Sequence, residues 1–204
     1  MSEERKHRVV HVLGNGDSVH CYKPTKGLKV VCNLPPFHVD NVWASVIVDF
    51  KMCAALTEGS VEIPYTWVCG MRPKIWMEKH PSFYMKKMKN IREFYTVLPK
   101  YIANYTDFNC GHVAVHYACN RLKGTEIHMY GFDSIFDFTT TSATDFVLNS
   151  DRGDNNTARL TSVWRNVWKG IFEEYKDNKF ILYHHRHSNV KVDLPDNVEM
   201  RLAK

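Results

Sequence analysis

The chain predicts an α/β fold, a mostly parallel sheet flanked by helices, and three observations carry that expectation. Short apolar runs recur along its 204 residues: Val9–Leu13, Leu28–Cys32, Ala44–Val48, Tyr65–Cys69, Glu126–Tyr130 and Lys179–Tyr183, with a weaker one at Glu199–Leu202. Several are continuously apolar, as strands covered on both faces must be. Helical patterns lie between them, at Asp49–Thr57, Pro73–Lys79, Ser82–Lys89, Cys110–Lys123 and Thr157–Tyr175. The last has Leu160, Val163, Trp164, Val167, Trp168 and Ile171 at helical spacing, one apolar stripe. Strands alternating with helices are joined by right-handed crossovers, which produce parallel pairing.

Composition bounds the rest. Hydrophobic residues make up 44% and charged residues 24%, as in globular proteins, and 204 residues suit one domain (1–204) with at most a small lid. No run approaches the roughly 18 apolar residues of a membrane span. The start, Met1-Ser-Glu-Glu-Arg-Lys-His, lacks the apolar core of a secretory signal. Six cysteines without a C-x-x-C pair read as reduced, buried thiols of a cytoplasmic protein. The stretch Asp133–Asn156, rich in Thr, Ser, Asp and Asn, reads as a long binding loop or lid. Between Arg72 and Lys100 stand eight Lys or Arg against two Glu, so one segment carries the whole net charge of +5. Its interleaved Trp76, Phe83, Tyr84, Phe94 and Tyr95 fit a phosphate-bearing or nucleic-acid partner, or a solvated helical face over a core.

The first apolar run feeds into Gly14-Asn15-Gly16-Asp17-Ser18, and the second ends in Asn33. Glycines flanking an asparagine suit a turn that brings backbone N–H groups near a ligand, and equally an ordinary tight turn. Two strands ending in Asn would set two amides at one sheet edge, where open α/β sheets bind nucleotides. Asn109-Cys110-Gly111 opens a helix and offers N–H groups to an anion, with Asn109 also its natural cap. His112, His116 and Asn120 recur every four residues on one face of that helix, but no HExxH glutamate accompanies them, so they read as a polar helix face and no metal site is assigned. The strand 126–130 leads to Gly131-Phe132-Asp133, where the acid can accept hydrogen bonds from a ribose or sugar hydroxyl, or cap the loop. In Asp151-Arg152-Gly153-Asp154, either carboxylate can act as a general base and Arg152 can pair with phosphate. Tyr183-His184-His185-Arg186-His187 is the densest histidine cluster and follows an apolar strand, so at least one imidazole should face the ligand edge. Neither a G-x-S-x-G elbow, a G-x-x-x-x-G-K-[ST] phosphate loop nor a G-x-G-x-x-G fingerprint is present.

Taken in order, Gly14-Asn15-Gly16-Asp17-Ser18, Cys32-Asn33, Cys110-Gly111 and Met129-Tyr130-Gly131-Phe132-Asp133 resemble the bacterial sialyltransferases that use a CMP-activated sugar. A similar opening motif occurs in the archaeal-type hydroxymethylpterin pyrophosphokinases. The resemblance spans roughly Val9 to Tyr183 but rests on short blocks. It implies a Rossmann-like fold, a small helical lid near 72–108 that meets the acceptor, and a metal-free transfer needing no cofactor beyond the nucleotide-sugar. It implies nucleotide contacts from Asn15 and Asn33 and phosphate or sugar contacts near Cys110-Gly111; with the residue readings above, the nucleotide- and phosphate-binding candidates are Gly14, Asn15, Gly16, Ser18, Asn33, Cys110, Gly111, Asp133 and Arg152. Three departures stand out: Asp17 replaces a proline, Cys110 a serine, and Gly153-Asp154 stands where the family has its catalytic histidine. The base is therefore expected to be Asp154 or Asp151, or a histidine of the 184–187 cluster such as His185. The expected partners are a nucleotide-sugar, an unknown and conceivably polyanionic acceptor (nucleic acid included), and a second copy of the chain. The alternatives are an ATP- and Mg²⁺-dependent pyrophosphokinase of the pterin type, or a non-catalytic protein binding nucleotide or nucleic acid.

Overall fold

The computed structural model describes residues 6–135, 139–141, 157–159, 162–184 and 193–202. Eight strands form one sheet: β1 (Val9–Leu13), β2 (Leu28–Cys32), β3 (Val42–Ile47), β4 (Trp67–Cys69), β5 (Ile91–Phe94), β6 (Glu126–Tyr130), β9 (Lys179–His184) and β10 (Val198–Leu202). Their order is β10-β9-β6-β1-β2-β3-β4-β5, and every adjacent pair is parallel. From β1 the chain builds outward to β5, then returns to lay β6 on the other side of β1. The direction of winding thus reverses between β1 and β6, the place where such sheets form a crevice at their carboxyl ends. This is the Rossmann-like α/β architecture that the alternating pattern predicts.

One face of the sheet, with Val10, Val12, Val30, Ala44, Val46, Ile127, Met129, Phe180 and Leu182, packs under α4 (Cys110–Asn120) and α5 (Ser162–Glu174). Helix α4 is buried almost all round, so the polar face expected at His112, His116 and Asn120 is enclosed at both histidines. The other face, at Ile47, Trp67 and Cys69, packs under α1 (Phe50–Glu58), α2 (Met71–Lys79) and α3 (Pro81–Lys87). Pro81 at the first position of α3 ends α2 at His80. Over β1 and β2 the cover comes from connecting segments, with Val19 and Val39 against Leu13, Val31 and Tyr130.

Within 72–108, α2 and α3 form the crossover between β4 and β5, and Pro73, Met77 and Phe83 are buried beneath them. The structure differs from the sequence reading in two places. Strand β5 lies outside the apolar runs of the sequence. Residues 157–159, expected as the start of the late helix, form strand β8 (Thr157–Arg159), antiparallel to β7 (Thr139–Thr141), and α5 begins at Ser162.

Candidate active site at the sheet's switch point

The turn after β1 and the turn after β6 interlock. The Gly14 N–H donates to Tyr130 O at 2.6 Å and the Gly16 N–H to Gly131 O at 2.9 Å. The Ser18 N–H donates to Asp133 Oδ2 at 2.9 Å, and the Gly131 N–H returns to Ser18 Oγ at 3.2 Å. A Cβ on Gly14 would lie 2.5 Å from Gly131 O, one on Gly16 would collide with the Asp133 carboxylate, and Gly131 itself sits at φ 78. The glycines therefore let two backbones touch, and the N–H groups of 14, 16 and 18 are engaged within the protein. What this edge could offer a ligand therefore includes its side chains.

Two of those side chains stand out. Asn15 Oδ1 and Asn33 Oδ1 are shielded from solvent and have no hydrogen-bond partner among the described residues. Asn33 is held rigidly: it takes a left-handed φ of 52, its N–H donates to Val46 O at 3.0 Å, and its carbonyl accepts from Ser45 Oγ at 2.5 Å. A buried acceptor without a donor costs about 1–3 kcal/mol, a cost that a ligand donor would remove.

Helix α4 opens at the same edge, where the Cys110 thiol donates to Val46 O at 3.0 Å. Burial, reinforced by neighbouring Cys32, pushes that thiol well above its ordinary range, so it is no nucleophile at neutral pH. The helix start is a capping box: Asn109 Oδ1 accepts from the His112 N–H at 3.0 Å, and His112 Nδ1 accepts from the Asn109 N–H at 3.2 Å. His112 thus caps the helix, and burial lowers it to about 3. One turn on, His116 Nδ1 accepts from Tyr95 Oη at 2.7 Å while its Nε2 meets Glu174 Oε2 at 3.1 Å. The regular histidine spacing on α4 therefore serves a cap and a core network. Among the described residues no group of three or more His, Cys, Asp or Glu is gathered to hold a metal ion.

The sequence-assigned residues Gly14, Asn15, Gly16, Ser18, Asn33, Cys110, Gly111 and Asp133 all lie at this carboxyl edge. Asp151, Arg152, Asp154 and His185 lie outside the described residues. Comparison with known protein families, with curated proteins and with solved structures finds no match.

The described histidine of the 184–187 cluster is His184, the last residue of β9, and its Nε2 lies 3.5 Å from Asp133 Oδ1. Both are more than nine-tenths buried. A sequence signal for it existed: His184 is in phase with Phe180 and Leu182, the inward-facing residues of its strand. Beyond Asn33 the edge continues as a cleft of about 250 Å³, counting space open to solvent, among Val48, Gly70, Arg72, Tyr95, Tyr105 and Phe108. There Arg72 Nη2 is paired with Asp49 Oδ1 at 2.7 Å.

Proposed function

We propose that the switch-point edge binds a nucleotide and that the protein transfers a sugar from a nucleotide-activated donor of the CMP type to an acceptor hydroxyl. The observation that carries this reading is the pair of buried, unpartnered amide oxygens on Asn15 and Asn33. Fixed acceptors at the ends of adjacent parallel strands suit the exocyclic amine of a base and the hydroxyls of a ribose. The N–H groups of Cys110 and Gly111 precede the one that Asn109 caps, and they suit the phosphate on which negative charge grows as the donor breaks.

His184, oriented by Asp133, is the proton acceptor in this reading. The acceptor oxygen forms its bond to the anomeric carbon and gives its proton to the imidazole. The bond from that carbon to the phosphate oxygen breaks, and the nucleotide leaves with the electron pair. An imidazole is suited to the task because its ordinary pKa lies close to neutrality.

The test is a thermal-shift comparison of CMP, UDP, GDP and ATP, each with and without Mg²⁺, followed by turnover of CMP-sugars. Stabilisation by CMP without metal is expected, since a ligand that binds only the folded chain raises its melting temperature. Stabilisation by ATP alone, and only with Mg²⁺, would replace this reading with pyrophosphoryl transfer. Binding of CMP with no turnover of any CMP-sugar would leave a nucleotide-binding protein without transferase activity.

A further inference from the structure

From Lys79 to Arg92 the chain carries five cations (Lys79, Lys86, Lys87, Lys89 and Arg92) and not one carboxylate. The structure folds this stretch into α3, a 3₁₀ turn at Met88–Asn90 and the edge strand β5. Phe83 anchors it from beneath, in the core under α1–α3. The outer surface is unusual in what accompanies the charge. Met85 is 65% exposed and Met88 46% exposed, so two long apolar side chains stand in water among Lys86, Lys87 and Lys89.

We propose that this corner of the molecule docks on an anionic lipid surface, with Met85 and Met88 entering the interface and the lysines facing lipid phosphates. The chemistry of the exposed side chains favours lipid over nucleic acid. Single strands are gripped by stacking bases on exposed aromatic rings, and the aromatic residues of this segment are turned inward or packed against a neighbouring ring. Phe83 is buried, the Trp76 ring lies on His80 at 4.1 Å, and Tyr84 faces Phe94 at 6.4 Å. What remains outside is methionine and lysine. Exposed methionine gains by leaving water for an acyl boundary and gains little from a phosphate backbone. Lysine stems can lie along that boundary with their ammonium groups in the headgroup layer. Because the helix is a single short element, binding should be reversible and should weaken as salt screens the lysines.

The test is sedimentation of the full chain with vesicles of phosphatidylcholine alone or mixed with phosphatidylglycerol. Binding to the mixed vesicles only is expected, falling as salt is raised. The triple substitution K86E/K87E/K89E should reduce partitioning about a hundredfold, at about fivefold for each lysine lost, and M85S/M88S should reduce it about fivefold. The variant K169E/K176E, which alters charge on exposed residues around α5, should stay within about twofold of the parent. Equal partitioning to both vesicle types, or an equal loss in the α5 variant, would overturn the proposal. So would tighter binding to a single-stranded oligonucleotide that the triple substitution abolishes, which would assign the corner to nucleic acid.

Discussion

Gly14 and Asn33 stand at the ends of neighbouring strands, yet substitution should separate their roles cleanly. A methyl group at position 14 meets the Gly131 carbonyl at 2.5 Å, backbone against backbone, where neither side can yield. Gly14→Ala is therefore expected to destabilise the protein by about 3 kcal/mol or more, read by urea unfolding. Asn33→Gly should behave in the opposite way. Glycine accepts the left-handed φ of 52 without strain, and the change removes an unpartnered buried oxygen, so stability should stay within about 1 kcal/mol of the parent. CMP affinity, by contrast, should fall about tenfold in a titration, the loss of one hydrogen bond. Equal affinity in the parent and Asn33→Gly would remove Asn33 from the binding site. The sequence exposes both residues as strand-end signals, but it does not tell them apart. The Gly-Asn-Gly motif looks like a ligand turn because the same glycines serve any close approach of backbone. Only the position of Gly131, 115 residues on from Gly16, shows which approach is meant. His184 is ambiguous in the sequence for a related reason: three histidines, at 184, 185 and 187, each offer an imidazole, and only the end of β9 shows that His184 meets Asp133.

Elements whose residues repeat along their own length were the legible ones. β1 and β2 coincide with their apolar runs because each is buried on both faces, and β6 because Ile127, Met129 and Tyr130 are buried. β5 escaped notice because it is four residues long, has Arg92 and Glu93 at its centre, and pairs with β4 through a register shift that breaks alternation. β8 hid inside a helical pattern, since its pairing with Thr139–Thr141 depends on a distant segment. Long-range constraint also explains how α4 and α5 are fastened. Tyr95, His116, Glu174 and Tyr101 form one chain of hydrogen bonds, the Tyr101 hydroxyl donating to Glu174 Oε2 at 2.7 Å. His116→Ala should cost about 2–4 kcal/mol in urea unfolding, because it opens a cavity and strands the buried Tyr95 hydroxyl. Glu174→Gln keeps an acceptor at the half-exposed end and should cost under about 1 kcal/mol. Similar losses from the two changes would mean that the carboxylate charge, rather than packing around the imidazole, holds the helices together.

Across the whole molecule the same burial that shapes the core makes folding depend on pH. Among the enclosed imidazoles are His11 on β1, and His112 and His116 on α4. Burial lowers all three, His11 to about 4 and His112 to about 3, with the neighbouring His128 and Lys29 adding to the effect at His11. At His116, Glu174 opposes the burial and leaves a net lowering. In the unfolded chain each titrates near its ordinary value of 6.5. Above that pH both states hold neutral imidazoles and the shifts have no effect. As the pH falls below 6.5 the unfolded chain takes up protons that the folded chain refuses, so stability declines. It continues to decline until the folded imidazoles themselves protonate, near pH 4 for His11 and pH 3 for His112. Each histidine contributes a slope of up to about 1.4 kcal/mol per pH unit in that window. Urea unfolding between pH 7.5 and 4.5 should thus show a flat region above about 6.5 and a steep fall beneath it. His11→Gln should remove about one third of that slope and leave the plateau nearly unchanged, since glutamine keeps a polar group facing Tyr130 without a titrating proton. A profile that stays flat down to pH 4.5 would mean that water reaches these imidazoles, and with it that the interface between β1, β6 and α4 is looser than its packing implies.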